Sequence, residues 1–230
     1  MHIVYLVRPG DNNEELRYSL RSLANLPHDR VWVAGHRPAW CTAHHIPTEQ
    51  AGTKHANAYG NLRAALAHPD VPDEFILFND DFFVTAPLDR VPTLHRGPVT
   101  QVLAQYRAKY RTSNYIDAMQ ATHDWLVRTG YRNPLSYELH TPMVLHRPTL
   151  TALLDRAQAD GVDVTRLHYR TAYGNIAGVG GDKVGDVKVY HHGDTAVPTP
   201  LASTLDATFT RGGIGRALRA MYPDPSPYER

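Results

Sequence analysis

The 230-residue chain has a single cysteine, Cys41. One thiol excludes an intramolecular disulfide and every multi-cysteine zinc pattern, and it fits a reducing compartment. No apolar run approaches the roughly 18 residues that span a bilayer, so no membrane span is predicted. The opening MHIVYLVRPGD is too short in its apolar part for a secretory signal and meets Arg8 and Pro9 at once. The expected location is cytoplasmic. An excess of one charge is also missing: 24 Lys and Arg face 23 Asp and Glu, a net +1 with neutral histidines. That balance supplies no polybasic field, so nucleic acid is not an expected partner. No Gly-x-Ser-x-Gly elbow occurs, and GVGGDKVG (178–185) fails as a Walker A loop because Lys183 lacks the preceding glycine and the following Ser or Thr. Hydrolase and P-loop readings are thereby demoted.

What is present is an ordinary globular composition, 42% hydrophobic and 20% charged, with length enough for one sizeable core. A single domain over 1–230 is the expectation. His2 to Val7 reads as a strand closed by Pro9-Gly10. Asp11 and Asn12 offer caps for a helix from Glu14 to Leu26, in which Leu16, Leu20, Leu23 and Leu26 share one side. RVWVA (30–34) is a second strand, and GHRPAWCTAHHIPTEQAGT reads as a turn-rich connection. A helix over about Thr53 to His68 leads to a third strand, Phe75 to Phe78. Alternating strands and helices predict an α/β fold with a mostly parallel sheet. Further on, PVTQVLAQY reads as a strand, Asn114 to Arg128 and Pro148 to Gln158 as helices, Asp186 to Tyr190 as a strand, and Ile214 to Met221 as a short helix.

The third strand raises the chemical question, because EFILFNDDFFV (74–84) runs from four apolar residues straight into Asn79-Asp80-Asp81. In parallel sheets ligands bind beyond the carboxyl ends of strands. Two carboxylates there either cap a turn or hold a hard divalent cation, Mg²⁺ or Mn²⁺, against a nucleotide diphosphate. His140 in ELHTP is a candidate base or phosphate partner, and Arg170 in HYRTA a candidate phosphate clamp. Asp194 in HHGD either adds a metal ligand or sits in a polar turn.

Taken in order, these segments resemble the Stealth family of hexose-1-phosphate transferases. EELRYSLRSL (14–23) is close to that family's ELRYSLRS helix, VWVAGHRPAW to its strand, turn and Pro-x-Trp, and FILFNDDFF to its strand entering Asn-Asp-Asp. LHTP at His140 with Arg170 downstream resembles its third block, and MYPDPSPYE its closing FPEPSPFE signature. The chain departs from the family at its start, where VYLVRPGD places Leu6, Val7 and Arg8 in the position of VYTWVDG.

The resemblance implies a GT-A-like, Rossmann-like sheet with helices on both faces and a nucleotide-sugar donor, a UDP-sugar. The acceptor hydroxyl would belong to a glycan or glycosylated protein, and UMP would leave. It assigns Asp81, His140 and Arg170 to catalysis, Asn79, Asp80, Arg17 and Arg21 to the donor, and Asp80, Asp81 and Asp194 to Mg²⁺ or Mn²⁺. Two alternatives stay open: a glycosyltransferase that releases a nucleoside diphosphate, and a non-catalytic sugar-nucleotide or glycan-binding module.

Overall fold

The structure, a computed structural model, describes residues 1–10, 12–110 and 113–230. Asp11, one of the two expected helix caps, lies outside them. In chain order the elements are β1 (His2–Val7), α1 (Glu14–Ser22), β2 (Val31–Gly35), β3 (His44–Pro47), α2 (Lys54–Ala67), β4 (Glu74–Asn79), β5 (Phe82–Val84), β6 (Leu94–His95), α3 (Val99–Tyr110) and α4 (Asn114–Arg128). They continue with β7 (Met143–His146), α5 (Arg147–Ala159), α6 (Tyr169–Ile176), β8 (Asp182–Lys183), β9 (Lys188–Val189), β10 (Leu201–Thr204), α7 (Asp206–Arg211) and α8 (Gly213–Met221).

The chain divides into two compact units that interleave in sequence, the first comprising Met1–Val91, His140–Arg147 and Val187–Arg230, the second Pro92–Leu139 and Pro148–Asp186. The sequence carries no linker composition at any of these crossings, so they leave no mark that a reader of the residues alone would see.

The first unit is α/β and is built on a five-stranded sheet in the order β3-β2-β1-β4-β7. Its strands run parallel except β7, which is antiparallel to β4. β2 and β4 are apolar because both their faces are covered: Val31 to Ala34 and Phe75 to Phe78 are all buried. At about 1.5–3 kcal/mol for each large side chain buried, this sheet outweighs any local propensity in holding the unit together. Helix α1 lays Leu16 and Leu20 into the core and ends in a 3-10 turn, Leu23–Asn25. The expected leucine stripe to Leu26 is buried throughout, although the α-helix proper stops at Ser22. Thr53 caps α2 by accepting the Ala56 N–H. A smaller sheet, in the order β5-β10-β9, stands beside helices α7 and α8, with Phe83, Phe209, Ile214 and Leu218 in its core.

The second unit is mainly helical. Its α3 corrects the strand expected from PVTQVLAQY: Val99, Val102, Leu103 and Tyr106 fall three and four apart and pack on Ile116, Met119 and Tyr115. A nine-residue apolar-rich run fits either period, and only this packing decides. The Asn114–Arg128 helix stands as expected, with Ser113 accepting the Ile116 N–H at its start. Pro148 lies in the first turn of α5. Among the described residues no helix is long and apolar enough to cross a membrane.

Candidate functional site at the carboxyl edge of the sheet

In the first unit, β1 has β2 on one side and β4 on the other, so the order of strands reverses at β1, and the region beyond the carboxyl ends of β1 and β4 is where sheets of this kind bind ligands. Leu6 pairs with Asn79, the last register position of that pair. Immediately after it, Asp80 and Asp81 form the two-residue turn that carries the chain from β4 of the large sheet into β5 of the small one. The apolar run therefore ends on carboxylates because the chain there leaves the central sheet at its carboxyl edge.

Three elements build the surroundings. Ser19 of α1 donates to the Phe82 carbonyl and shares a hydrogen bond with the Tyr5 hydroxyl, while the Val84 N–H donates to Ser22 Oγ at 3.0 Å. These bonds pin β5 along the helix. In the small sheet, Ser203 stands opposite Phe82 on one side and Lys188 on the other. That row brings Lys188 Nζ to 2.8 Å and Ser203 Oγ to 3.1 Å from Asp81 Oδ2. From the first turn of α1, Glu15 accepts the Thr204 hydroxyl at 2.6 Å.

The electrostatics of this edge are lopsided. Burial pushes the Asp80 carboxyl up to about 6, and the Asp81 charge adds to the rise, against lowering by Arg8 and Lys188. Burial likewise pushes Glu15 up to about 7, with Asp80, Asp81 and Asp206 adding to it. Perturbed carboxylates in a crevice mark a candidate site. Asp81 has a cationic partner, and Asp80 beside it makes no ion pair among the described residues. Together they fit a divalent cation: Mg²⁺ takes one or two carboxylates and completes its shell with phosphate oxygens and water. Among the described residues no group of three or more His, Cys, Asp or Glu is placed to hold a metal ion, so a cation here would depend on the ligand for the rest of its shell.

The other expected residues fall on different elements. His140, just ahead of β7, presents its ring edge-on to Phe82, centroids 6.4 Å apart. Asp194 is exposed in the turn after β9, its N–H donating to the His191 carbonyl. Arg170 belongs to the second unit, where it is 6% exposed in the first turn of α6. Arg21 is bound to the C-terminal tail. Its Nε and NH2 grip Glu229 at 2.8 Å each, and NH1 donates to the carbonyls of Tyr222 and Pro223. Those donors are spent on the C-terminal tail, so we assign Arg21 an anchoring role rather than a donor contact. Arg17 leans the same way, its Nε 3.6 Å from Glu229 and its guanidinium over the Trp40 ring at 4.6 Å.

Sequence reasoning missed Glu15, Lys188 and Ser203. Glu15 lies inside the quoted helix motif, but periodicity does not distinguish it from Glu14. Lys188 is the polar residue between Val187 and Val189, which reads as an outward face of a strand. No family model matches this chain, and no curated protein is significantly similar to it.

Proposed function

We propose that the protein is a nucleotide-sugar-dependent transferase that moves a hexose-1-phosphate from a UDP-sugar to a hydroxyl of a glycan or glycosylated protein, with release of UMP. The observation that carries this reading is the Asp80-Asp81 turn at the strand-order reversal, where an under-compensated carboxylate pair meets the position at which parallel sheets bind nucleotides. The ordered motifs from EELRYSLRSL to PDPSPYE support the same reading by their resemblance to the Stealth family, and with it a GT-A-like fold. The single cysteine is consistent with a cytoplasmic enzyme.

In this reading Asp80 and Asp81 hold Mg²⁺ or Mn²⁺, which supplies charge neutralisation for the donor diphosphate. The acceptor oxygen attacks the β-phosphorus, the bond from that phosphorus to the UMP oxygen breaks, and His140 takes the acceptor proton. The barrier is lowered mainly by positioning and by charge already in place. Arg8, which lowers the Asp80 pKa from the end of β1, is the nearby cation for a phosphate oxygen.

The test is to incubate the purified protein with a panel of nucleotide sugars, Mg²⁺ or Mn²⁺ and glycan acceptors, and to identify the nucleotide released. UMP that depends on metal and disappears in Asp80→Asn supports the reading. UDP would instead mean attack at the anomeric carbon and a glycosyltransferase, and tight donor binding without turnover a binding module. Asp80 is the better probe of the pair, because removing Asp81 also strands Lys188, 11% exposed, without its counter-ion.

A further inference from the structure

We propose that Lys188 is an exchangeable counter-ion: it holds Asp81 while the site carries no metal, and passes to a phosphate oxygen of the donor when metal and nucleotide arrive together. The inference rests on the metal-nucleotide reading above and adds to it a mechanism that makes the two ligands bind as one.

The geometry is specific. Lys188 and Asp81 have side chains 11% and 16% exposed, and their contact is 2.8 Å. The ammonium comes from β9, a strand of only two residues, and is aimed by its register opposite Ser203. Both polar partners of Asp81, Lys188 Nζ and Ser203 Oγ, converge on the same oxygen, Oδ2. A divalent cation on Asp81 would place two positive centres against one carboxylate in a half-buried site where screening is weak. Lysine, unlike arginine, is a compact point charge on a flexible four-carbon stem with three rotatable donors, so it can leave the carboxylate without the strand moving.

The ammonium has few other destinations. Asp80, Asp81 and Asp206 all act on Glu15, and Asp81 and Lys188 act on Asp80, so a newly arrived diphosphate is the strongest new acceptor within the same field. Metal alone must therefore displace Lys188 without compensation. Metal with a diphosphate both neutralises the carboxylates and gives the lysine a new partner. The coupling between the two ligands then resides in one side chain, and by linkage each ligand strengthens the other by the same factor.

The experiment measures binding rather than turnover. Mn²⁺ affinity alone, by electron paramagnetic resonance, and UDP affinity in saturating Mn²⁺, by calorimetry, are compared in the wild type, Lys188→Met and Lys188→Arg, each first shown folded by thermal melting. Lys188→Met is expected to bind Mn²⁺ alone about tenfold more tightly and UDP about tenfold more weakly, opposite signs from one substitution. Lys188→Arg keeps the ion pair and with it the fold, and its forked grip on Asp81 is expected to weaken Mn²⁺ alone by several fold. Parallel losses in both affinities of the methionine variant, or none, would overturn the proposal and leave Lys188 as a structural brace. Should Lys188→Met fail to fold, an arginine variant that binds Mn²⁺ as well as the wild type overturns it too. A wild type that binds neither Mn²⁺ nor UDP would bring down the functional reading and this inference together.

Discussion

The two ends of helix α1 carry similar charges in opposite states. At its last turn, Arg21 grips Glu229 through two parallel hydrogen bonds, with the pair 9% and 6% exposed. Burial alone would raise Glu229, but the bonds from Arg21 and from Ser226 hold it below the ordinary carboxylate range. At its first turn, Glu15 faces Asp80 and Asp81, and both Glu15 and Asp80 are pushed well above that range. The same residue types are satisfied at one end and left short of positive charge at the other. Satisfied charges of this kind anchor structure, whereas carboxylates short of counter-charge mark a candidate functional site.

The largest effect should come from the unsatisfied end. Asp80→Asn is expected to lower metal-dependent UMP release by about two to three orders of magnitude while the protein stays folded, the range seen when one preorganised charge contact is lost. Activity within a factor of about ten of wild type would remove the contrast between the two ends. Next comes the satisfied end. Glu229→Gln leaves the Arg21 guanidinium desolvated with half a partner, and urea unfolding should show a loss of about 3 kcal/mol with UDP affinity unchanged. A change in UDP affinity would mean that the tail belongs to the site after all.

The pH dependence of stability separates the two ends without any ligand. Asp80 and Glu15 have folded pKa values of about 6 and about 7 against 3.8 and 4.5 as free side chains. The folded state therefore binds extra protons between those limits, and the stability they provide at low pH is lost as the pH rises through them. For Asp80 the loss is about 3 kcal/mol and is complete somewhat above pH 6. Glu229 has the opposite sign, with its contribution present above 4.5 and lost as the pH falls. Denaturation profiles should accordingly show Asp80→Asn flattening the neutral flank and Glu229→Gln flattening the acid flank. Unchanged neutral flanks in Asp80→Asn would show that Asp80 is not short of counter-charge. The smallest effect is expected at Glu14, one residue before Glu15 and paired with Arg219 at 2.7 Å, but 37% exposed. Glu14→Gln should cost less than about 1 kcal/mol by the same unfolding assay.

Legibility followed burial. β1, predicted from His2 to Val7, and α4, predicted from Asn114 to Arg128, match the structure residue for residue, the strand because Pro9-Gly10 closes its apolar run and the helix because its long run has one clear period. Where runs were short, context decided. β3, β7 and β10 span four residues each, β3 inside a stretch that reads as a connection, and each exists because a neighbour supplies its hydrogen bonds. Val99 to Tyr110 became a helix because α4 offers it an apolar face. In the candidate site, Asp80 and Asp81 were visible because carboxylates directly after a buried strand are conspicuous. The pairing of Arg21 with Glu229 was not legible, because nothing local reveals a partner 208 residues away.

By itself, then, the sequence determined the α/β alternation, the apolar strands of the central sheet and the acidic turn at the end of β4. Those depend on solvation and on periodicity, which neighbouring residues express locally. Only the tertiary structure decided the order β3-β2-β1-β4-β7, which puts that turn beside the end of β1, and the row Phe82, Ser203, Lys188, which puts an ammonium on Asp81. Strand order and cross-strand register join residues far apart in the chain. Their energies depend on what lies opposite each side chain, and that is information no single segment carries.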